Sequence, residues 1–282
     1  MEMDNKPSIG LKRNTIDKYY TKPSAVDLCM NLIKEHLICN KDDWIIEPSA
    51  GNGAFIESIK LLTEKYKFYD LSPEHGDILK QDYLEFDATV LLQDYCKLGT
   101  QQIHVIGNPP FGRQSSLAIK FIKKSCEFCT SISFILPKSF KKDSLKKSFP
   151  LNYHLVCEEE IPKNSFLVNG VEHDVPCVFQ IWQIKHFDRT VADKLEPTNF
   201  KFVLQNDHPD ISFRRVGVNA GTIDTTTDCK SVQSHYFIRF TDRQHVNRNV
   251  EKLKKIIYET NNTVGPKSIS KQELIKEFNK VM

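Results

Sequence analysis

The sequence has no apolar run approaching the eighteen or so residues that a membrane-spanning helix needs. Its first residues, MEMDNKPSIGLKR, contain acids and no apolar segment, so no secretory leader is expected. Repeats and low-complexity tracts are absent as well, which excludes collagen-like, solenoid and linker-type chains. Metal-ligand spacing is missing too. Cys126-Glu-Phe-Cys129 has no second Cys pair, and the nine histidines form no H-x-x-x-H motif, so no metal is expected. The eight cysteines are irregularly spaced and read as reduced thiols in a cytoplasmic or nuclear setting. Charge of one sign is also lacking: 39 basic residues face 36 acidic ones, for a net of +3. That total alone gives no reason to expect a nucleic-acid partner.

What is present is an ordinary globular mixture, 40% hydrophobic and 27% charged over 282 residues. It fits one large domain, or a main domain with an appendage. The small net charge conceals opposed blocks. Residues 41–100 hold 6 basic and 12 acidic residues, residues 111–150 hold 9 and 2, and residues 241–282 hold 9 and 5. Such asymmetry suggests an acidic part and a basic part with different partners.

Short apolar runs alternate with helical patterns through the first two thirds of the chain. A helix is expected from Ser24, as N-cap, through Val26, Met30 and Ile33. Trp44–Ile46 reads as a strand, Phe55, Ile59 and Leu62 as a helix face, and Lys67–Tyr69 as a strand. Ile103–Ile106 and Ile132–Leu136 are strands around a helix bearing Leu117, Phe121 and Ile122, and Val178–Trp182 is a further strand. This alternation predicts βαβ units and a mostly parallel sheet, with ligands at the carboxyl ends of the strands. From about residue 190 the pattern changes. Phe200–Leu204, Phe213–Val216 and Tyr236–Phe240 read as strands without intervening helices, followed by forty helical, basic residues. The expected division is therefore 1–190 and 191–282.

Two strand ends carry chemistry. Glu47-Pro-Ser-Ala-Gly-Asn-Gly53 places two glycines where a ligand can approach the backbone before a helix begins. Asp70, nineteen residues after Gly51, lies at the next strand end, where a carboxylate can accept from ribose hydroxyls. Glu47 suits a cationic ligand better than a pyrophosphate. Gly107-Asn-Pro-Pro-Phe-Gly112 has the spacing of a phosphate loop but lacks its Lys-Ser/Thr pair, and Pro109 and Pro110 have no N–H to donate. It offers acceptors and a ring instead. The Asn108 side-chain oxygen and the Pro109 carbonyl can hold an exocyclic amine, and Phe111 can stack on a flat base.

Asn108-Pro-Pro-Phe111 resembles the catalytic motif of S-adenosylmethionine-dependent N6-adenine methyltransferases, and a chance match is expected in roughly one chain in a hundred of this length. Glu47 to Phe55, including Pro48, Ala50, Gly51 and Gly53, is similar to that family's cofactor loop. Asp70-Leu71 falls at its ribose-binding acid, and Asp82-Tyr83-Leu84 at the segment that meets the adenine of the cofactor. Tyr20-Thr21-Lys22-Pro23 is similar to the upstream segment over the methionine end, with Lys22 inserted. The motif order is that of the gamma arrangement, and the resemblance spans roughly residues 18–184.

The resemblance implies a Rossmann-like methyltransferase domain with a small C-terminal β-plus-helix appendage. It implies S-adenosylmethionine as cofactor and methyl transfer to the N6 amine of adenine in nucleic acid, DNA being favoured over RNA by the upstream segment and the appendage. Phe166 stands where that family places a second aromatic against the base; a core phenylalanine is the other reading. Arg113 and Lys138 are candidate phosphate contacts from the basic block, which continues through Lys141, Lys142, Lys146 and Lys147. Arg214, Arg215 and Arg239 are candidate base readers. A catalytically silent nucleic-acid-binding subunit and a protein-glutamine methyltransferase stay open as alternatives, as do oligomeric state and a partner subunit.

Overall fold

The computed structural model describes residues 18–89, 102–191, 193–258 and 266–282. They form two compact units, Met1–Pro137 with Lys146–Asp188, and Lys138–Leu145 with Arg189–Met282. The short segment Lys138–Leu145 thus belongs with the second unit, not with the strand that precedes it.

In chain order the strands are β1 (Tyr20–Thr21), β2 (Trp44–Glu47), β3 (Lys65–Asp70), β4 (Leu79–Lys80), β5 (Ile103–Gly107), β6 (Ser131–Pro137), β7 (Tyr153–Glu160), β8 (Phe166–Val168), β9 (Val171–His173), β10 (Cys177–Ile184), β11 (Phe200–Val203), β12 (Ile211–Arg214), β13 (Ile223–Asp224) and β14 (His235–Phe240). The first unit is built on a seven-stranded sheet in the order β4-β3-β2-β5-β6-β10-β7. Its strands run parallel except β10, which is antiparallel to both neighbours. This is the expected Rossmann-like α/β class. Strand order reverses between β2 and β5, the switch point at which open parallel sheets leave a crevice at their carboxyl ends.

Apolar periodicity explains the covering helices. Helix Pro23–His36 buries Ala25, Val26, Cys29, Met30 and Ile33, a spacing of three to four residues that makes one continuous face. Its N-cap is Lys22 rather than Ser24, because Pro23 occupies the first helical position, where no N–H is missed. Helix Ile56–Leu62 buries Ile56 and Ile59, and helix Ser116–Ser125 buries Ala118, Phe121 and Ile122. Among the described residues, no helix is long and apolar enough to cross a membrane.

The amino ends of the strands are tied by polar groups. Asp43, just before β2, accepts from the backbone N–H groups of Asn40 and Gln102, and lies 3.5 Å from His104 Nε2. These bonds hold its carboxyl down at about 2, against the penalty of burial. His104 Nδ1 reaches Ser131 Oγ at 2.7 Å, linking β5 to β6.

A small antiparallel sheet, β1-β8-β9, lies apart from the main one. Its β8–β9 hairpin turns on Asn169-Gly170, both at positive φ, the pair that a tight two-residue hairpin favours. The second unit carries an antiparallel sheet, β11-β14-β12-β13, and helices Val246–Leu253 and Lys271–Asn279. The C-terminal helix opens with a capping box, Ser270 and Glu273 each bonding the other's backbone N–H. The appendage is thus β-plus-helix, as expected.

Phe213 is fully buried in that second unit, against the rings of Tyr236, Tyr258 and Phe278. Truncating it to alanine removes the central ring and leaves a cavity. Phe213→Ala is expected to cost about 3–5 kcal/mol, seen as a lower urea midpoint and faster hydrogen exchange in β12 and β14. Unchanged exchange there would contradict this packing.

Candidate active site

Three neighbouring strand ends assemble the site. β2 ends at Glu47, whose side chain is 1% exposed. Its Oε2 is buried with no hydrogen-bond partner. Burial, with a smaller contribution from the charge of Asp70, pushes this carboxyl up to about 8. At the end of β5, Gly107 has φ +150°, and a Cβ there would stand 3.1 Å from Glu47 Cγ. A glycine is what leaves room for the acid.

Asp70, at the end of β3, holds the glycine loop in place. Its Oδ2 accepts from Gly51 N–H at 2.8 Å and its Oδ1 from Ser72 N–H at 2.7 Å. Gly51 is left-handed, with φ +53°, a conformation that side chains resist. Each Asp70 oxygen keeps a second lone pair for a ligand hydroxyl. Leu71 stands beside it, 65% exposed. Asp82 is exposed and caps the turn Tyr83–Glu85 by accepting from Leu84 N–H. Tyr83 departs from the sequence expectation: its ring is 1% exposed, stacks on Phe121 and bonds Ser125 through its hydroxyl. It is a core group.

The loop after β5 holds the proposed catalytic residues. Ser49 Oγ donates to the Asn108 carbonyl at 3.1 Å, binding the two loops together. Asn108 Nδ2 lies 3.3 Å from the Tyr19 carbonyl and 3.2 Å from Thr21 Oγ1. Pro109 is buried, and Pro110 and Phe111 are half-buried. The Phe111 carbonyl accepts from Leu117 N–H, anchoring this loop to helix Ser116–Ser125. Between them Gln114 and Ser115 both adopt positive φ, an uncommon conformation for residues with side chains.

Strand β1 crosses the glycine loop as a strap. The Tyr20 ring lies over Gly51, and its hydroxyl donates to Glu74 at 2.6 Å beside the Lys18–Glu74 ion pair. A cavity of about 40 Å³ lies beneath, with Thr21, Glu47, Ala50, Gly51, Phe55 and Asn108 in its lining. Small-molecule pockets usually measure roughly 300–1,000 Å³, so this cavity holds one end of a nucleoside-sized ligand, with Asp70 and Asp82 outside its lining. Chemically the lining fits a cation. A charge beside Glu47 Oε2 would stabilise the carboxylate that burial now disfavours, and Asp70 offers lone pairs to hydroxyls.

The other expected residues are placed variously. Phe166 is 1% exposed and belongs to the main core. It is the core phenylalanine of the two readings, with no ring face free for a base. Pro48 is buried, and Arg113 is exposed just after the loop 108–112. Lys138 opens the short helical turn after β6, in the second unit. In the basic block, Lys142 pairs with Glu273 and Lys146 with Glu158. Arg214 and Arg215 each donate to a backbone carbonyl within their own unit. Sequence reasoning missed Ser49, Tyr19 and Glu74. Ser49 was visible inside the glycine loop, whereas nothing local marks Glu74.

No protein-family model matches the chain. Protein ENHANCED DOWNY MILDEW 2 of Arabidopsis thaliana is 25% identical over 185 residues, which is 62% of this chain and 14% of that protein. The chain thus spans about a seventh of the curated relative's length. Among solved structures, a Pyrococcus horikoshii protein provisionally described as an RNA methyltransferase aligns with a TM-score of 0.46 and 15% identity, over 62% of this chain and 92% of that one. The 23S rRNA methyltransferase ErmE aligns with a TM-score of 0.40 and 10% identity, over 62% and 73%. Likeness at these identities says nothing of substrate.

Glu47 makes stability depend on pH. The folded state keeps its proton up to about pH 8, whereas the unfolded chain loses it near the ordinary glutamate value of about 4.3. Stability is therefore expected to fall as pH rises between those limits, by on the order of a few kcal/mol, and to level off above them. Glu47→Gln should flatten this slope and be the more stable protein at pH 8.5 in urea titrations. Parallel curves for the two proteins would show that Glu47 is not the group responsible.

Proposed function

We propose that the chain is an S-adenosylmethionine-dependent methyltransferase acting on the N6 amine of adenine in DNA. The observation that carries this reading is the convergence of Asn108, Glu47 and the Gly51–Asp70 tie at one edge of the sheet. When bound, S-adenosylmethionine would supply a methyl group on a sulfonium, which the amine lone pair takes with loss of a neutral thioether, the methylated amine then releasing one proton to solvent. Glu47 faces that positive charge, Asp70 takes ribose hydroxyls, and Asp82 takes the adenine end. Leu71, half-buried Ala54 and the loop backbone supply flat apolar surface.

Asn108 Oδ1 and the Pro109 carbonyl accept the two N–H groups of the target amine. Both hydrogens held by acceptors draw the nitrogen away from planarity and free its lone pair. Asn cannot take a proton, so this is preorganised electrostatics rather than base catalysis. Phe111 offers a ring for the base, a contact worth about 1–3 kcal/mol. A duplex target must release its adenine from the stack to reach Asn108. Arg113, exposed beside the loop, provides a cation for phosphate.

Tritiated-methyl transfer to DNA, total RNA and protein, followed by nucleoside analysis, tests the reading. N6-methyladenosine formed only in RNA would move the substrate to RNA, and label in protein alone would overturn it. Asn108→Ala should reduce transfer by about a hundred- to a thousandfold, the scale set by removing an oxyanion-type contact, while calorimetry still detects S-adenosylmethionine binding. Full activity in that variant would refute the amine-holding role. Arg113→Ala should weaken DNA binding and lower the salt slope by about one charge. An unaltered slope would remove Arg113 from the interface.

A further inference from the structure

The catalytic amide is held from the side opposite its proposed substrate. Asn108 Nδ2 lies within hydrogen-bond reach of both the Tyr19 carbonyl and Thr21 Oγ1. A main-chain carbonyl can only accept, so the amide nitrogen, not its oxygen, must face the strap. With both N–H groups directed there, Oδ1 is the end left to face outward. Thr21 is 7% exposed, and its hydroxyl is one of the few buried polar side chains of the site.

The strap is itself fixed by pairing. Thr21 lies opposite Phe166 and Tyr20 opposite Leu167 in the antiparallel register of β1 and β8, and Lys22 N–H donates to the Ser165 carbonyl at 2.9 Å. Side chains alternate along a strand. Tyr20 therefore covers Gly51 while Thr21 turns to Asn108. One two-residue strand touches the cofactor loop and the catalytic amide with adjacent side chains.

We propose that Thr21 is a positioning residue whose hydroxyl, with the Tyr19 carbonyl, orients the Asn108 amide so that Oδ1 is presented to the target amine. This rests on the methyltransferase reading above. The amine-holding geometry is thus tied to β1 keeping its register on β8.

Thr21→Val removes the hydroxyl, and Thr21→Ser retains it. In single-turnover methyl transfer to adenine-containing DNA and RNA oligonucleotides, with S-adenosylmethionine raised until the rate no longer changes, Thr21→Val should be 10- to 100-fold slower. Thr21→Ser should stay within about threefold of wild type. Equal losses in both variants, or no loss in Thr21→Val, would overturn the proposal. Absence of transfer by the wild-type protein would instead defeat the methyltransferase reading. The amide is then read directly in protein labelled with 15N-asparagine, the Asn108 side-chain signal being identified by its loss in Asn108→Asp. Its N–H groups should exchange slowly in wild type and Thr21→Ser and fast in Thr21→Val. Equal exchange in all three would overturn the positioning role whether or not transfer is seen.

Discussion

A carboxyl group without a partner, Glu47 Oε2 at the end of β2, is the constraint around which the site is arranged. Burying it unpaired is costly, and the surroundings are shaped to permit that rather than to relieve it. Gly107 gives up a side chain beside it. Asp70, the nearest other acid, is turned toward backbone N–H groups instead of toward a cation. Two acids at adjacent strand ends have thus been given opposite treatments, one satisfied by the chain and one left waiting. Such an orphaned buried acid in a lined cavity is the feature on which the proposed complement, a positive charge carried by a ligand, rests.

Much of this was legible because the features are local. The parallel sheet announced itself in short apolar runs punctuated by turn-rich segments, and residues 47–53 and 107–112 stood at strand ends as the topology requires. What could not be read were relations across the chain. β7 is an edge strand whose residues, Tyr-His-Leu-Val-Cys-Glu-Glu-Glu, end in three acids and show little apolar alternation; its strand character comes from pairing with β10. The β1–β8 pairing joins residues nearly 150 apart. Asn169-Gly170, by contrast, was a hairpin signal present in the sequence and not used.

Single side chains divided along the same line. Phe166 and Tyr83 occupy motif-like positions, yet burial decides their roles, and burial is a property of the assembled fold. The basic block shows the limit of counting charges. Lys142 and Lys146 are committed to Glu273 and Glu158, so a formal excess of seven positive charges is not seven free phosphate contacts. Each pair is half-buried, and the pairing lowers the field available to a polyanion. Arg113 differs in standing exposed directly after the loop 108–112.

The strap connects these observations into one device. Its outer anchor is an exposed Glu74 that takes both Lys18 and Tyr20, where water competes for each bond. Its inner anchors are the buried Thr21 and the β8 register. Because the registered residues are also the ones that touch Asn108, the placement of that amide does not depend on the exposed ion pair, and one short strand serves both the glycine loop and the proposed amine-holding group.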